Sequence, residues 1–234
     1  MPTSVLIHGA GSSGRYWHRV APLLEVAGHR VVAPDLPAED DDADLTAYVD
    51  AVLADVDAGG SLDPPVVVVG QSLGGFTAPL VADELGADLL VILAGMVPRP
   101  GERGVDWWTA TGWEAAVRTA AREGGRDPED LDTAALVLAG VPHELLVELG
   151  PERAQSMTPL LEPWPLTTWP DVPTRVVAAA DDRFFPLDFQ RRVAADRLGL
   201  DVVEVPGGHL PAVTHPEAVA AWLLELCREV AVRA

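Results

Sequence analysis

The sequence is poor in cysteine, in positive charge and in long apolar runs. Its one cysteine, Cys227, has no partner within the chain, so no intramolecular disulfide braces the fold. Cys227 falls on the apolar face of the last predicted helix and reads as a core residue, not a nucleophile. Only 16 basic side chains, all arginine, stand against 36 aspartates and glutamates, a formal net charge of −20. Nucleic acid and anionic membranes are polyanions that need basic side chains, so neither is expected as a partner. The bland consequence of the charge is solubility. No uninterrupted apolar run reaches the roughly 18 residues of a spanning helix. The start, Met-Pro-Thr, has no basic segment followed by an apolar stretch and a cleavage site. No signal peptide is therefore expected, and a cytoplasmic location fits.

What is present suits one globular domain. The chain has 234 residues, of which 48% are hydrophobic, and α/β folds often reach about 250 residues as one unit. Short apolar runs at Ser4–His8, Arg30–Pro34, Pro65–Val69, Leu89–Ala94, Arg175–Ala179 and Asp201–Val205 predict six strands. Near-continuous runs of this kind suit strands buried on both faces of a parallel sheet. Leu45, Val49, Val52, Leu53 and Val56 follow one helical face, as do Val219, Trp222, Leu223, Leu226 and Val230. Trp17, Val20 and Leu24 make a shorter stripe. The strand–helix alternation predicts an α/β fold, a mostly parallel six-stranded sheet with helices on both faces.

Between about Met96 and Trp169 the alternation lapses. This stretch holds Trp107, Trp108, Trp113, Trp164 and Trp169, five of the seven tryptophans. An excursion of about 70 residues exceeds any ordinary connection. We read 1–95 and 170–234 as the core and 96–169 as a cap over a pocket. Ordinary packing helices are the rival reading. The acidic run Glu39–Asp44 reads as a solvated loop.

Six serines are available, but only Ser72 lies in a G-x-S-x-G pattern, Gly70-Gln71-Ser72-Leu73-Gly74, followed by Gly75. It sits between the valine-rich strand and the helical pattern Phe76–Leu85, the context that gives the motif meaning. A sharp strand-to-helix turn presents the hydroxyl, and flanking glycines remove clashes. The helix N-terminus favours developing negative charge. After the first strand comes His8-Gly9-Ala10-Gly11-Ser12-Ser13-Gly14. A tetrahedral intermediate needs two preorganised N–H donors, and the backbone of Leu73 and of Ala10 can supply them. A phosphate loop is the rival, but the spacing is not that of a Walker A motif and no lysine follows.

Among the histidines, His209 in Gly207-Gly208-His209-Leu210-Pro211 follows the last strand, on the sheet edge that carries Ser72. His215 is second choice and reads better as a helix cap. His8 reads as structural or pocket-lining. The strand Arg175–Ala179 ends in Asp181-Asp182. Asp182 is preferred over Asp181 as the acid that orients His209. The chain order Ser72, Asp182, His209 is that of α/β-hydrolases.

On these residues the sequence resembles the α/β-hydrolase superfamily over nearly its whole length. They are His8-Gly9-Ala10-Gly11, Gly70-Gln71-Ser72-Leu73-Gly74-Gly75, Asp182 with Pro186, and Gly208-His209. Trp17–Leu24 and Gly28–Leu36 are similar to the compact plant-type methylesterase and hydroxynitrile lyase group. Hydroxynitrile lyases of that group carry Thr where this chain has Gly9, and Lys where it has Leu210. The resemblance therefore implies hydrolysis over cyanohydrin cleavage. Ala179 departs from the family's usual glycine.

The expected activity is a serine hydrolase acting on a small to medium ester or thioester through an acyl-enzyme. The tryptophans suggest an apolar or aromatic group on a small-molecule substrate. Neither a metal-ligand cluster nor a nucleotide motif is visible, so no cofactor is expected. Two rivals remain: a lyase or other non-hydrolytic reaction on the same residues, and a receptor-like ligand-binding protein that keeps the fold.

Overall fold

The computed structural model describes residues 1–151 and 153–233. Six strands form one sheet: β1 (Thr3–Ile7), β2 (Arg30–Val32), β3 (Val66–Gln71), β4 (Leu89–Leu93), β5 (Thr174–Ala179) and β6 (Val202–Val205). Their order is β2-β1-β3-β4-β5-β6, and every neighbouring pair is parallel. The expected six-stranded α/β sheet is therefore present, and it is wholly parallel.

The central strands are apolar through their middles because both their faces are covered. Val66 and Val68 of β3 pack into one core layer, and Val67 and Val69 into the layer on the opposite face. Leu90 and Ile92 of β4 divide from Leu89, Val91 and Leu93 in the same way. Alternate side chains of a strand point to opposite faces, so a two-sided core favours an apolar residue at every position of the strand's middle.

Eleven α-helices are described: α1 (Ala21–Val26), α2 (Leu45–Ala58), α3 (Gly74–Leu85), α4 (Gly104–Thr111), α5 (Trp113–Glu123), α6 (Thr133–Val137), α7 (His143–Leu149), α8 (Thr158–Leu161), α9 (Leu187–Leu198), α10 (Pro211–Thr214) and α11 (Pro216–Arg233). A 3₁₀ turn at Gly14–Trp17 precedes α1. Residues of α2, α3 and α9 fill one layer, and α1, α10 and α11 supply the other. Asp44 caps α2 by accepting the Ala47 N–H (2.9 Å). Cys227 of α11 is 3% exposed, and burial pushes its thiol up to about 11. It is a core residue, as expected.

The helices α4 to α8 all lie in the excursion between β4 and β5. Its tryptophans play a different part from the one expected. Trp107 and Trp164 are wholly buried in the core layer that also holds Phe185 and Phe189. Four indoles donate to backbone carbonyls outside α4 to α8: Trp107 to Val97 (3.0 Å), Trp113 to Phe184 (2.6 Å), Trp164 to Phe76 (2.9 Å) and Trp169 to Pro98 (2.9 Å). A large ring with one polar handle joins two elements well. Of the five, Trp108 is the one that lines the cavity described next.

Candidate active site

The chain runs from β1 to β2 on one side and then to β3 on the other. Such a switch in direction opens a crevice beyond the carboxyl ends of the strands. The loop after β1 and the turn after β3 border that crevice, and the turns after β5 and β6 lie on the same edge.

Ser72 occupies the turn between β3 and α3, with φ at +51°. A left-handed conformation costs a serine roughly 1–2 kcal/mol. Three backbone hydrogen bonds hold it: Ser72 N–H donates to Leu93 O (3.3 Å), and Ser72 O accepts from Gly75 (3.0 Å) and Met96 (2.9 Å). The flanking glycines are required by close approach. A Cβ on Gly74 would lie 2.8 Å from the His8 carbonyl oxygen, and one on Gly70 2.5 Å from that of Gly74.

The Ser72 hydroxyl donates to His209 Nε2 (2.9 Å), and His209 Nδ1–H donates to Asp182 Oδ2 (2.8 Å). A carboxylate accepts only, so this bond sets the imidazole tautomer. The other Asp182 oxygen accepts the N–H groups of Phe184 (2.8 Å) and Phe185 (2.9 Å). Both oxygens are thus engaged, and the carboxylate cannot rotate freely. Phe184 and Phe185 also pack against the imidazole, with ring centroids 4.8 and 5.0 Å away. All three side chains are buried: Ser72 9%, Asp182 5% and His209 2% exposed. Asp181 is exposed, and its backbone N–H donates to Gly207 O (2.9 Å), which ties the turn after β5 to the one after β6.

Ala10 and Leu73 both border the same cavity as Ser72. Among the described residues neither backbone N–H has a hydrogen-bond partner. Gly9 shapes this corner, since a Cβ there would lie 2.7 Å from Ser72 Cβ and 2.6 Å from Gln71 Oε1. His8 does not line the cavity. Its Nε2 accepts the Leu36 N–H (3.1 Å) and its Nδ1–H donates to Gly9 O (2.8 Å). Burial lowers its pKa and keeps it neutral, as those two bonds require. His215 bonds Thr214 (2.9 Å) beside the start of α11 and takes no part in the chain of hydrogen bonds at Ser72.

Two contributors escaped the sequence reading. Gln71 Nε2 donates to His209 O (3.1 Å) and so fixes the loop that carries the imidazole. Tyr16 borders the cavity from the 3₁₀ turn. The cavity itself has a volume of about 700 Å³. Its walls are mainly apolar, with Met96, Trp108, Val137, Leu146, Leu149 and Phe184 prominent. Among the described residues no group of His, Cys, Asp and Glu could hold a metal ion.

A model of the alpha/beta hydrolase family matches residues 5–222. The chain belongs to the α/β-hydrolase family. This hydrolase is 27% identical to salicylic acid-binding protein 2 of Nicotiana tabacum, over 96% of each chain. It is 25% identical to methylesterase 7 of Arabidopsis thaliana, over 97% of this chain and 96% of that one. Its fold superposes on a pyrethroid hydrolase from Sphingobium faniae JZ-2 with a TM-score of 0.72 and 25% identity, over 97% of each. An extracellular α/β-hydrolase from a Paenibacillus species, 19% identical, shares the fold with a TM-score of 0.73, over 97% of this chain and 100% of that one. The resemblance to the compact methylesterase group is thus borne out across nearly the full length. The α/β hydrolase is an enzyme of a family acting on small molecules.

Proposed function

We propose that this α/β hydrolase is a serine esterase, cleaving small to medium carboxylic esters or thioesters through an acyl-enzyme on Ser72. The observation that carries the reading is the hydrogen-bonded chain Ser72–His209–Asp182 beside an apolar cavity of about 700 Å³. Ser72 Oγ attacks the carbonyl carbon while its proton passes to His209 Nε2. Asp182 holds the tautomer and stabilises the imidazolium. The Leu73 and Ala10 N–H groups receive the oxyanion. The tetrahedral adduct then expels the alcohol or thiol, which takes the proton from His209. Water attacks the acyl-enzyme, again losing a proton to His209, and the acid leaves with Ser72 restored. The ester chemistry named in the methylesterase relatives supports this reading. Leu210, in place of a cation beside His209, supports hydrolysis over release of cyanide.

Hydrolysis of p-nitrophenyl acetate and butyrate tests it. Ser72→Ala is expected to lower kcat by at least about 10³-fold, since removing a nucleophile from such a set is among the most damaging changes. A fluorophosphonate should label Ser72 in the wild type. Undiminished hydrolysis by Ser72→Ala, or a label on another residue, overturns the assignment. Tight binding of small acids or esters without turnover would favour a receptor-like role.

A further inference from the structure

Tyr16 is a tyrosine where a purely apolar wall would be served by phenylalanine. Its ring is buried, 1% exposed, and packs edge-on against Trp17 with centroids 4.8 Å apart. Yet Tyr16 also borders the cavity that holds Ser72, His209 and Leu210. Its oxygen accepts one long hydrogen bond, from the Ala212 N–H at 3.4 Å. Among the described residues its own proton has no acceptor. A buried hydroxyl whose proton finds no acceptor costs roughly 1–3 kcal/mol, so it is poorly explained as packing. A bound molecule with an oxygen in reach would satisfy it.

We propose that the Tyr16 hydroxyl donates a hydrogen bond to a substrate oxygen other than the scissile carbonyl, and so selects esters that carry a second acceptor. This rests on the esterase reading and extends it to substrate class. Burial raises the Tyr16 pKa, so the group stays a donor across the working pH range. Its place fits the role. The 3₁₀ turn that carries it follows the loop of Ala10, and Ala212 lies three residues beyond His209. The side chain therefore rises from the segment after the loop assigned to the oxyanion, and its hydroxyl reaches the segment that follows the base. Ser12, Ser13, Thr133, Arg153 and Gln155 also line the cavity but at half-buried or exposed positions, whereas the Tyr16 donor is buried, and a buried site built to pair a polar group rejects an analogue lacking it. The acceptor can sit in the acyl or the alcohol portion; the recognising chemistry is the same.

The test uses ester series in which one methylene is replaced by an ether oxygen at successive positions. Methyl pentanoate with its ether analogues scans the acyl side, and butyl acetate with its analogues scans the alcohol side. The readout is the kcat/KM ratio of ether to parent ester, in wild type and in Tyr16→Phe, which keeps the ring. At one position the ratio is expected to fall about fivefold in Tyr16→Phe, the worth of a typical net hydrogen bond. The side on which it falls identifies the portion that carries the acceptor. An identical ratio in both enzymes at every position overturns the proposal, even if both rates drop, because that is a packing effect. Absence of any Ser72-dependent turnover of the parent esters by wild type sinks the esterase reading itself, and this proposal with it.

Discussion

Two helix pairs of the insertion between β4 and β5, α4–α5 as its first half and α6–α7 as its second, are built on different principles. In α4 and α5, Trp107, Val117 and Ala121 are fully buried, and the indoles of Trp107 and Trp113 bond core carbonyls. In α6 only Leu136 is buried, and in α7 nothing is. The second half is held by polar contacts at its ends. Arg15 Nε donates to Glu148 O and His18 meets the Glu148 carboxylate (3.2 Å). Arg153 N–H donates to Gly11 O (3.1 Å), and its guanidinium pairs with Asp35 (3.3 Å) and Glu39 (3.2 Å). Exposed ion pairs of this kind contribute little, typically about 0–1 kcal/mol. The first half is mainly scaffold, with Trp108 its one residue on the cavity wall. The second half trades burial for cavity wall: Thr133, Ala134, Val137, Leu138, Leu146 and Leu149 all face the space beside Ser72. Burial and cavity lining thus fall mainly on separate helices, and changes in the two halves should have largely separable effects.

The largest effect is expected at Trp107. Trp107→Ala removes a fully buried indole and its hydrogen bond to the Val97 carbonyl, which keeps only the Arg197 guanidinium, at a cost of about 3–5 kcal/mol, read by urea denaturation. A loss below about 1 kcal/mol would break the contrast between the halves.

His8 lies outside the insertion, in the loop after β1, and gives the core a pH dependence of its own. Its pKa is lowered in the fold by burial, below the usual 6.5. The unfolded chain then binds a proton that the folded chain refuses, so stability rises with pH across this window. Stability should fall as pH drops below about 6.5, with a contribution limited to about 1.4 kcal/mol per pH unit. Tm measured from pH 7.5 to 5.0 should slope less steeply in His8→Gln. An unaltered slope would remove His8 as the cause.

The smallest stability effect is expected in the second half. Leu146→Ala in α7 should cost less than about 1 kcal/mol, because the side chain is only partly buried. It should nevertheless raise KM for a butyrate ester by about threefold to tenfold, from lost apolar contact. A large fall in Tm with unchanged KM would reverse the assignment of the two halves.

The sheet was readable from the chain because its strands are buried on both faces. Expected strands such as Arg175–Ala179 and Leu89–Ala94 lie within a residue or so of β5 and β4. The edge strand β2 is shorter than the expected Arg30–Pro34, ending at Val32; apolar character outlasts the hydrogen-bonding partner there. Ser72 was legible because its turn is local, written in five consecutive residues. Asp182 over Asp181 was harder, since both follow the same strand and only the pairing across 27 residues separates them. The tryptophans misled. A tryptophan buried in a core and one lining a pocket are the same letter, and the difference lies in which neighbours cover it. Gln71 and Tyr16 left no signal beyond their identity, for their partners lie 138 and 196 residues away.

By itself, the chain determined a parallel α/β sheet and a serine on a strained turn after its third strand, because hydrophobic period and turn chemistry act over a few neighbouring residues. Which aspartate meets the imidazole, which insertion helices are mainly scaffold, and which tyrosine borders the cavity beside Ser72 were decided only in three dimensions. Those outcomes depend on distances between segments far apart in the chain, and such distances exist only once the core has closed.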